Sequence, residues 1–413
     1  MSGVAGQAGG SLCPGASARA LFPALSGAAG EVAVPLDNAA TTHRPQAVLD
    51  ALQRFYIEHN ANVHRAVHRA GQAATAAYEG ARGRMARFLE SAPGEVVFTR
   101  NATDSINLVA RGYVEPRVGP GDAVVVTGLE HHSNLVPWQQ VCRRTGARLH
   151  VLPVDDNGRL EEPWELPEDG RFLAATRVSN ALGSLVPTER LVAQAQARGM
   201  AVLLDVTQAL GHLPLDDGSR AAEFLACSAH KAYGPMGVGM LRGRREALEQ
   251  TEPVVFGGEM VAAVDAQSAS WAAVPLRFEA GTPAAAPVSA LVPALDLLDE
   301  LGLSAIRAHE LALMERLLEG LAAIDGVQVV GPADAAGRSG SVSLVMPGGD
   351  PHVAATVLDL AGVAVRVGWH CAEPLLRRMG RGPTVRASLA LYNTREDIEH
   401  FLAVLPEALA ACR

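Results

Sequence analysis

A chain of 413 residues that is 48% hydrophobic and 19% charged can bury a large core, which excludes a disulfide-stapled mini-protein and a disordered chain. Its 35 basic and 44 acidic side chains leave a formal net charge of −9. No net field then draws it to nucleic acid or to an anionic lipid surface. In chain order, residues 1–30 are rich in Ala, Gly and Ser, with Arg19 their one basic residue. Lacking a charged start followed by an apolar block, they read as a flexible leader and not as a signal peptide. No later apolar run reaches the roughly 18 residues of a membrane helix. The five cysteines (Cys13, Cys142, Cys227, Cys371, Cys412) are few, odd in number and scattered. They read as thiols in a reducing, cytoplasmic compartment.

The next stretch alternates short apolar runs at 95–99, 123–127, 148–152, 172–176, 201–205, 224–228 and 238–241 with helical patterns such as 191–198. Near-continuous apolar strands separated by helices predict an α/β fold, a mostly parallel sheet covered on both faces. Ligands then sit beyond the carboxyl ends of the strands. From about residue 288 a long amphipathic stretch, broken at Gly302, leads to strands near 341–345 and 363–366 and to closing helical segments. The expected organisation is a large domain over 31–287 and a smaller α+β domain over 288–413.

Strand ends carry the candidate chemistry. Asp205 closes one strand, with Gln208 three residues on; it is either a helix N-cap or a carboxylate held against a protonated ring nitrogen. Lys231 follows the next strand, flanked by Ser228 and His230 and by a glycine-containing turn. A desolvated lysine there can lose its proton and form a Schiff base. Residues 98–107 run from a strand into a helix start bearing Asn101 and Thr103, which suits a phosphate or an ordinary cap. The pairs His131-His132, His64 with His68, and Cys227 with His230 lack a completing cluster at zinc spacing, so no metal is expected. Cys371 lies in a polar loop with Arg366 and His370. Positive neighbours favour the thiolate, so it is the best nucleophile among the five.

Together these segments resemble the class V aminotransferase family of fold-type I pyridoxal phosphate enzymes, and within it the SufS-like (group II) cysteine desulfurases. The resemblance runs from about Leu36 to Asn393. It rests on Leu36-Asp-Asn-Ala-Ala-Thr-Thr42, Ala61-Asn-Val-His-Arg65, Phe98-Thr-Arg100, Glu130-His-His-Ser-Asn134, Val178-Ser-Asn180 and Ser228 to Pro235. Gly257-Gly-Glu-Met260, Phe278 to Pro283, Arg366 to Pro374 and Arg386-Ala-Ser388 complete it.

The resemblance implies a fold with a smaller C-terminal α+β domain carrying the catalytic cysteine loop. It implies pyridoxal 5'-phosphate on Lys231, with His131 stacked on the ring, Asp205 at the pyridine nitrogen and Gln208 at the ring oxygen. Thr103, Ser228 and His230 would hold the phosphate, with Thr282 supplied by the second subunit of a homodimer. Asn180, Arg386, His64 and Arg366 would bind substrate. Cys371 would take sulfur from L-cysteine as a persulfide, leaving alanine, and pass it to an acceptor of the SufE or SufU kind for iron–sulfur or other sulfur biosynthesis. Trp369, Ala102, Ala284 and Val206-Thr207 depart from the family pattern. Three alternatives remain: a selenocysteine lyase acting on L-selenocysteine, another C–S lyase or epimerase, and a non-catalytic scaffold.

Overall fold

The computed structural model describes residues 12–25 and 34–412. Seven strands form the central sheet: β1 (Val96–Thr99), β2 (Ala123–Thr127), β3 (Arg148–Leu152), β4 (Gly170–Thr176), β5 (Ala201–Asp205), β6 (Phe224–Ser228) and β7 (Gly239–Gly243). Their order is β1-β7-β6-β5-β4-β2-β3. Only β7 runs antiparallel to its two neighbours. The turn between β6 and β7 is too short for the helical crossover that a parallel neighbour requires.

Pleating explains the apolar runs. Val125, Leu173, Val202, Leu204, Leu225 and Met240 pack on one face, with helices Arg69–Phe88 and Val292–Leu301. Val124, Val126, Phe172, Leu203, Phe224 and Leu241 pack on the other, with Ala102–Val109 and Val136–Thr145. With both faces covered, alternation disappears from the sequence. The carboxyl ends of β4, β5 and β6 therefore open together at one edge of the layers.

The C-terminal part holds an antiparallel sheet of β8 (Gln328–Val330), β9 (Ser341–Val345), β10 (Arg366–Gly368) and β11 (Thr384–Ser388), in the order β8-β9-β11-β10. Helices Leu303–Ala322 and Arg395–Ala411 bury Leu313, Leu317, Phe401 and Leu405 against it. Gly302 ends the helix before it at φ 76°, a positive value that glycine adopts without a steric cost. The break expected there is found. Strands β8 and β11 and the exposed hairpin Val261–Val264/Ala269–Trp271 carry no alternating pattern long enough to read.

Two expectations need correction near the amino end. Residues 12–25 do not behave as a loose leader. Ala16–Arg19 is helical, Phe22 is fully buried, and Arg19 pairs with Asp397 at 2.9 Å. Ala18 is buried beside Phe22, and Leu12 and Leu25 pack against the same core, so small and apolar residues anchor a segment that its Ala and Gly content made look loose. The rest of the expected leader, 1–11 and 26–30, lies outside the described residues. Residues 34–36, assigned from sequence to the large domain, pair instead with Val363–Ala364 and pack into the C-terminal core. The Phe22 ring sits edge-on to Tyr392 at 4.7 Å and to Tyr233 at 5.9 Å. Replacing Phe22 with alanine is expected to cost about 3–5 kcal/mol of stability. Urea unfolding checks this through a lower midpoint at an unchanged slope.

Candidate active site

A cavity of about 320 Å³ opens where β4, β5 and β6 end. Thr176, Asp205 and Ser228 stand on its wall as the last residues of those strands. Asp205 is buried, and one of its carboxylate oxygens accepts the Thr207 N–H at 2.9 Å. Gln208 is fixed to the Ala39 carbonyl at 2.9 Å. Lys231 ends the short turn after β6 and lines the cavity between Asp205 and the C-terminal loop residues.

One end of the cavity is built for an anion. The Ala102 N–H, at the start of helix Ala102–Val109, donates to Ser228 Oγ at 2.8 Å. Thr103 Oγ1 and Ser133 Oγ lie 2.7 Å apart, and His230 Nδ1 is buried with no partner. Hydroxyls, an unused ring nitrogen and a helix N-terminus together form an anion receptor. His131 also lines the cavity, and its Nδ1 accepts the Ser133 N–H at 3.0 Å.

The opposite wall comes from the C-terminal domain. Asn180 Nδ2 donates to the His370 carbonyl at 2.6 Å, and the Cys371 carbonyl accepts the His132 N–H at 2.7 Å. His370 Nε2 meets Thr384 Oγ1 at 2.8 Å. Those bonds hold two consecutive non-glycine residues in the left-handed region, His370 at φ 51° and Cys371 at φ 54°. Such residues cost about 1–3 kcal/mol each and persist only where surroundings over-determine them. The result is a fixed turn that leaves Cys371 exposed at the cavity mouth. Trp369, the departure in this loop, takes the Arg377 guanidinium over its ring at 4.7 Å and packs against the main core.

Burial sets the protonation of the site. Desolvation brings Lys231 down to about 8, against the pull of Asp205 and with help from Arg386. Desolvation likewise lowers His131 to about 3 and His230 to about 4, so both rings are neutral near pH 7. Arg386 falls to about 10 for the same reason and stays charged. Asp205 is pushed up by burial, against the favourable charge of Lys231; a cationic neighbour in the cavity would hold it ionised.

Lys231 is also the only lysine in the chain. The summed count of basic residues hides this, although a sole lysine placed just after a buried strand is a clear signal in the sequence. Amine labelling of the cofactor-free protein, resolved at the Lys231 peptide, is expected to accelerate about tenfold per pH unit up to about 8 and then level, because only the deprotonated amine reacts. A rate still climbing at pH 10 would contradict a desolvated lysine.

Of the residues chosen from sequence, Lys231, Cys371, His131, Thr103, Asp205 and Gln208 line the cavity. So do Ser228, His230, Asn180, Arg386 and Arg366. Two do not. Thr282 is exposed on a separate segment, and His64 turns its Nε2 to Glu79 at 2.9 Å. The cavity also takes in Thr207, whose buried hydroxyl has no partner. Its place beside Asp205 could have been read from the strand end.

A sequence model of the family described as "Aminotransferase class-V" matches residues 34–401. A probable cysteine desulfurase of Pseudomonas aeruginosa is 46% identical over 401 residues, 96% of this chain and 98% of that one. Another of Halalkalibacterium halodurans is 42% identical over 384 residues, 92% and 94% of the two chains. Among solved structures, the cysteine desulfurase CsdA of Escherichia coli matches with a TM-score of 0.87 at 36% identity, covering 96% of this chain and 98% of that one.

Proposed function

The chain belongs to the class-V aminotransferase family, and from that premise we propose that it is a pyridoxal 5'-phosphate-dependent cysteine desulfurase that converts L-cysteine to L-alanine. The observation that carries this reading is the meeting, in one cavity, of the buried carboxylate of Asp205, the desolvated amine of Lys231, the unpartnered His230 Nδ1 and the exposed thiol of Cys371.

The cavity's own residues fit that cofactor. Thr103, Ser228 and His230 make the receptor its phosphate needs, and Asp205 is the acid–base partner for a pyridine nitrogen. Gln208 and the His131 ring stand beside them for the ring oxygen and the ring face. Bound there, the cofactor would supply an electron sink for charge developing at the substrate Cα. A Lys231 amine that titrates near 8 is suited to take and return a proton at that carbon close to neutral pH. Asn180 and Arg386, buried at the wall shared by the two domains, would receive the substrate carboxylate. The Cys371 thiolate then attacks the substrate sulfur. A sulfur–sulfur bond forms, the Cβ–sulfur bond breaks, and its electron pair stays with carbon and takes a proton to give alanine.

Two partners complete the proposal. Thr282 lies outside its own chain's cavity and is exposed on a segment where Gly281 adopts φ 85°, so it is assigned to the phosphate end of a second copy in a homodimer. Cys371 at the mouth is open to a sulfur-acceptor protein of the SufE or SufU kind. No helix among the described residues is long and apolar enough to cross a membrane. A thiol nucleophile suits the reducing conditions of cytoplasm.

The test is turnover of L-cysteine by the cofactor-loaded protein. Alanine is expected as the carbon product, with sulfide release rising when a reductant is added. Cysteine left unchanged under both conditions would refute the assignment.

A further inference from the structure

Arg366 and Arg386 face one another directly across the antiparallel pair β10 and β11. Like charges in that register repel, and a sheet normally avoids them. Here both guanidinium groups line the cavity, and one carboxylate lies between them. Asp37 Oδ2 accepts from Arg366 Nη1 at 3.1 Å, and Asp37 Oδ1 accepts from Arg386 Nη2 at 3.3 Å. Asp37 is itself placed by the sheet, because the chain after Val34–Pro35 continues into a bridge with Ser388, two residues beyond Arg386.

The charges leave a remainder. One carboxylate against two guanidinium groups gives a net single positive charge at the cavity wall, the complement of one α-carboxylate. The geometry leaves a remainder as well. Arg386 is buried, its Nη1 donates to the Asn180 carbonyl at 2.9 Å, its Nη2 reaches Asp37, and its Nε is buried with no partner. Both terminal nitrogens are engaged, and the Nε–H has no partner in its own chain. A planar fork fixed at two points recognises a carboxylate at lower entropic cost than a rotating one.

We propose that Asp37 is a positioning residue for substrate recognition, bridging Arg386 and Arg366 so that the Arg386 guanidinium is held in place at the cavity wall for the substrate α-carboxylate. The proposal deepens the desulfurase reading and rests on its assignment of Arg386 to that carboxylate. Asp37 touches no reacting atom, so the reaction's turnover step should be spared when it changes.

The experiment compares wild-type holoenzyme with Asp37→Asn, Asp37→Glu and Arg386→Ala. It measures calorimetric binding of L-alanine, steady-state turnover of L-cysteine and the thermal unfolding temperature. Asp37→Asn keeps an oxygen acceptor and removes the charge. It is expected to weaken L-alanine binding and raise KM for L-cysteine by about 10- to 100-fold, with kcat within about threefold and the unfolding temperature nearly unchanged. Asp37→Glu, which restores the carboxylate, should recover part of the affinity. L-Alanine binding and KM left within about twofold in Asp37→Asn would overturn the proposal, as would tighter binding, which would make Asp37 a competitor for Arg386. A fall in kcat with KM unchanged would overturn it too. If Arg386→Ala leaves L-alanine binding intact, the carboxylate assignment fails instead, and the role of Asp37 fails with it.

Discussion

Lys231→Ala removes both the visible absorbance of the loaded protein and all measurable turnover of L-cysteine. Lys231 is the only lysine, so no neighbouring side-chain amine can stand in for it, either to hold an aldehyde cofactor or to move the Cα proton. Loss of a positioned proton carrier alone typically costs 10²- to 10⁴-fold, and loss of a covalent anchor adds to that. The fold should survive, because the alanine leaves the anion receptor of Ser228, Thr103 and His230 untouched. Soluble variant protein whose spectrum and activity match wild type would remove Lys231 from the centre of the account.

How much of this was legible beforehand depends on what each residue has to contact. Most of the central strands announce themselves because burial on two faces demands apolar runs, the largely exposed edge strand β3 being the exception. Asp205 stands out as the polar residue ending β5, and Lys231 as the charged residue just beyond β6. Residues 12–25 are hard to read because their partners lie far along the chain: Ala18 and Phe22 are buried in the main core, and Arg19 pairs with Asp397, 378 positions away. Composition cannot see a partner that far along the chain. No role for Asp37 is legible in the sequence, since its bridge between Arg366 and Arg386 exists only once distant segments meet. His64 was expected at the substrate, yet it lies against Glu79 and beside the Tyr78 ring. A motif match gives a residue a name before the fold gives it a neighbour.

The second large effect belongs to Cys371. Cys371→Ser should leave cofactor loading and L-alanine affinity intact, because Lys231, Asp205, His131 and Arg386 carry those steps from other elements. Sulfur transfer should fail, since a serine hydroxyl is not ionised near neutral pH and is a poor nucleophile toward sulfur. Removing an activated nucleophile costs on the order of 4 kcal/mol of barrier or more, about a thousandfold in rate. The turn itself should persist, being held by Asn180, His132 and Thr384 and not by the thiol. A serine variant that still makes alanine at the wild-type rate would point to elimination of sulfide without a protein nucleophile, as in a C–S lyase.

The central claim is that sulfur leaves L-cysteine by bonding to Cys371. A single turnover of wild-type holoenzyme without reductant, followed by mass analysis of the Cys371 peptide and quantification of alanine and pyruvate, tests it directly. The account predicts one alanine for each Cys371 that gains a single sulfur atom, with little pyruvate. Pyruvate as the main product, with an unmodified Cys371 peptide, would contradict it.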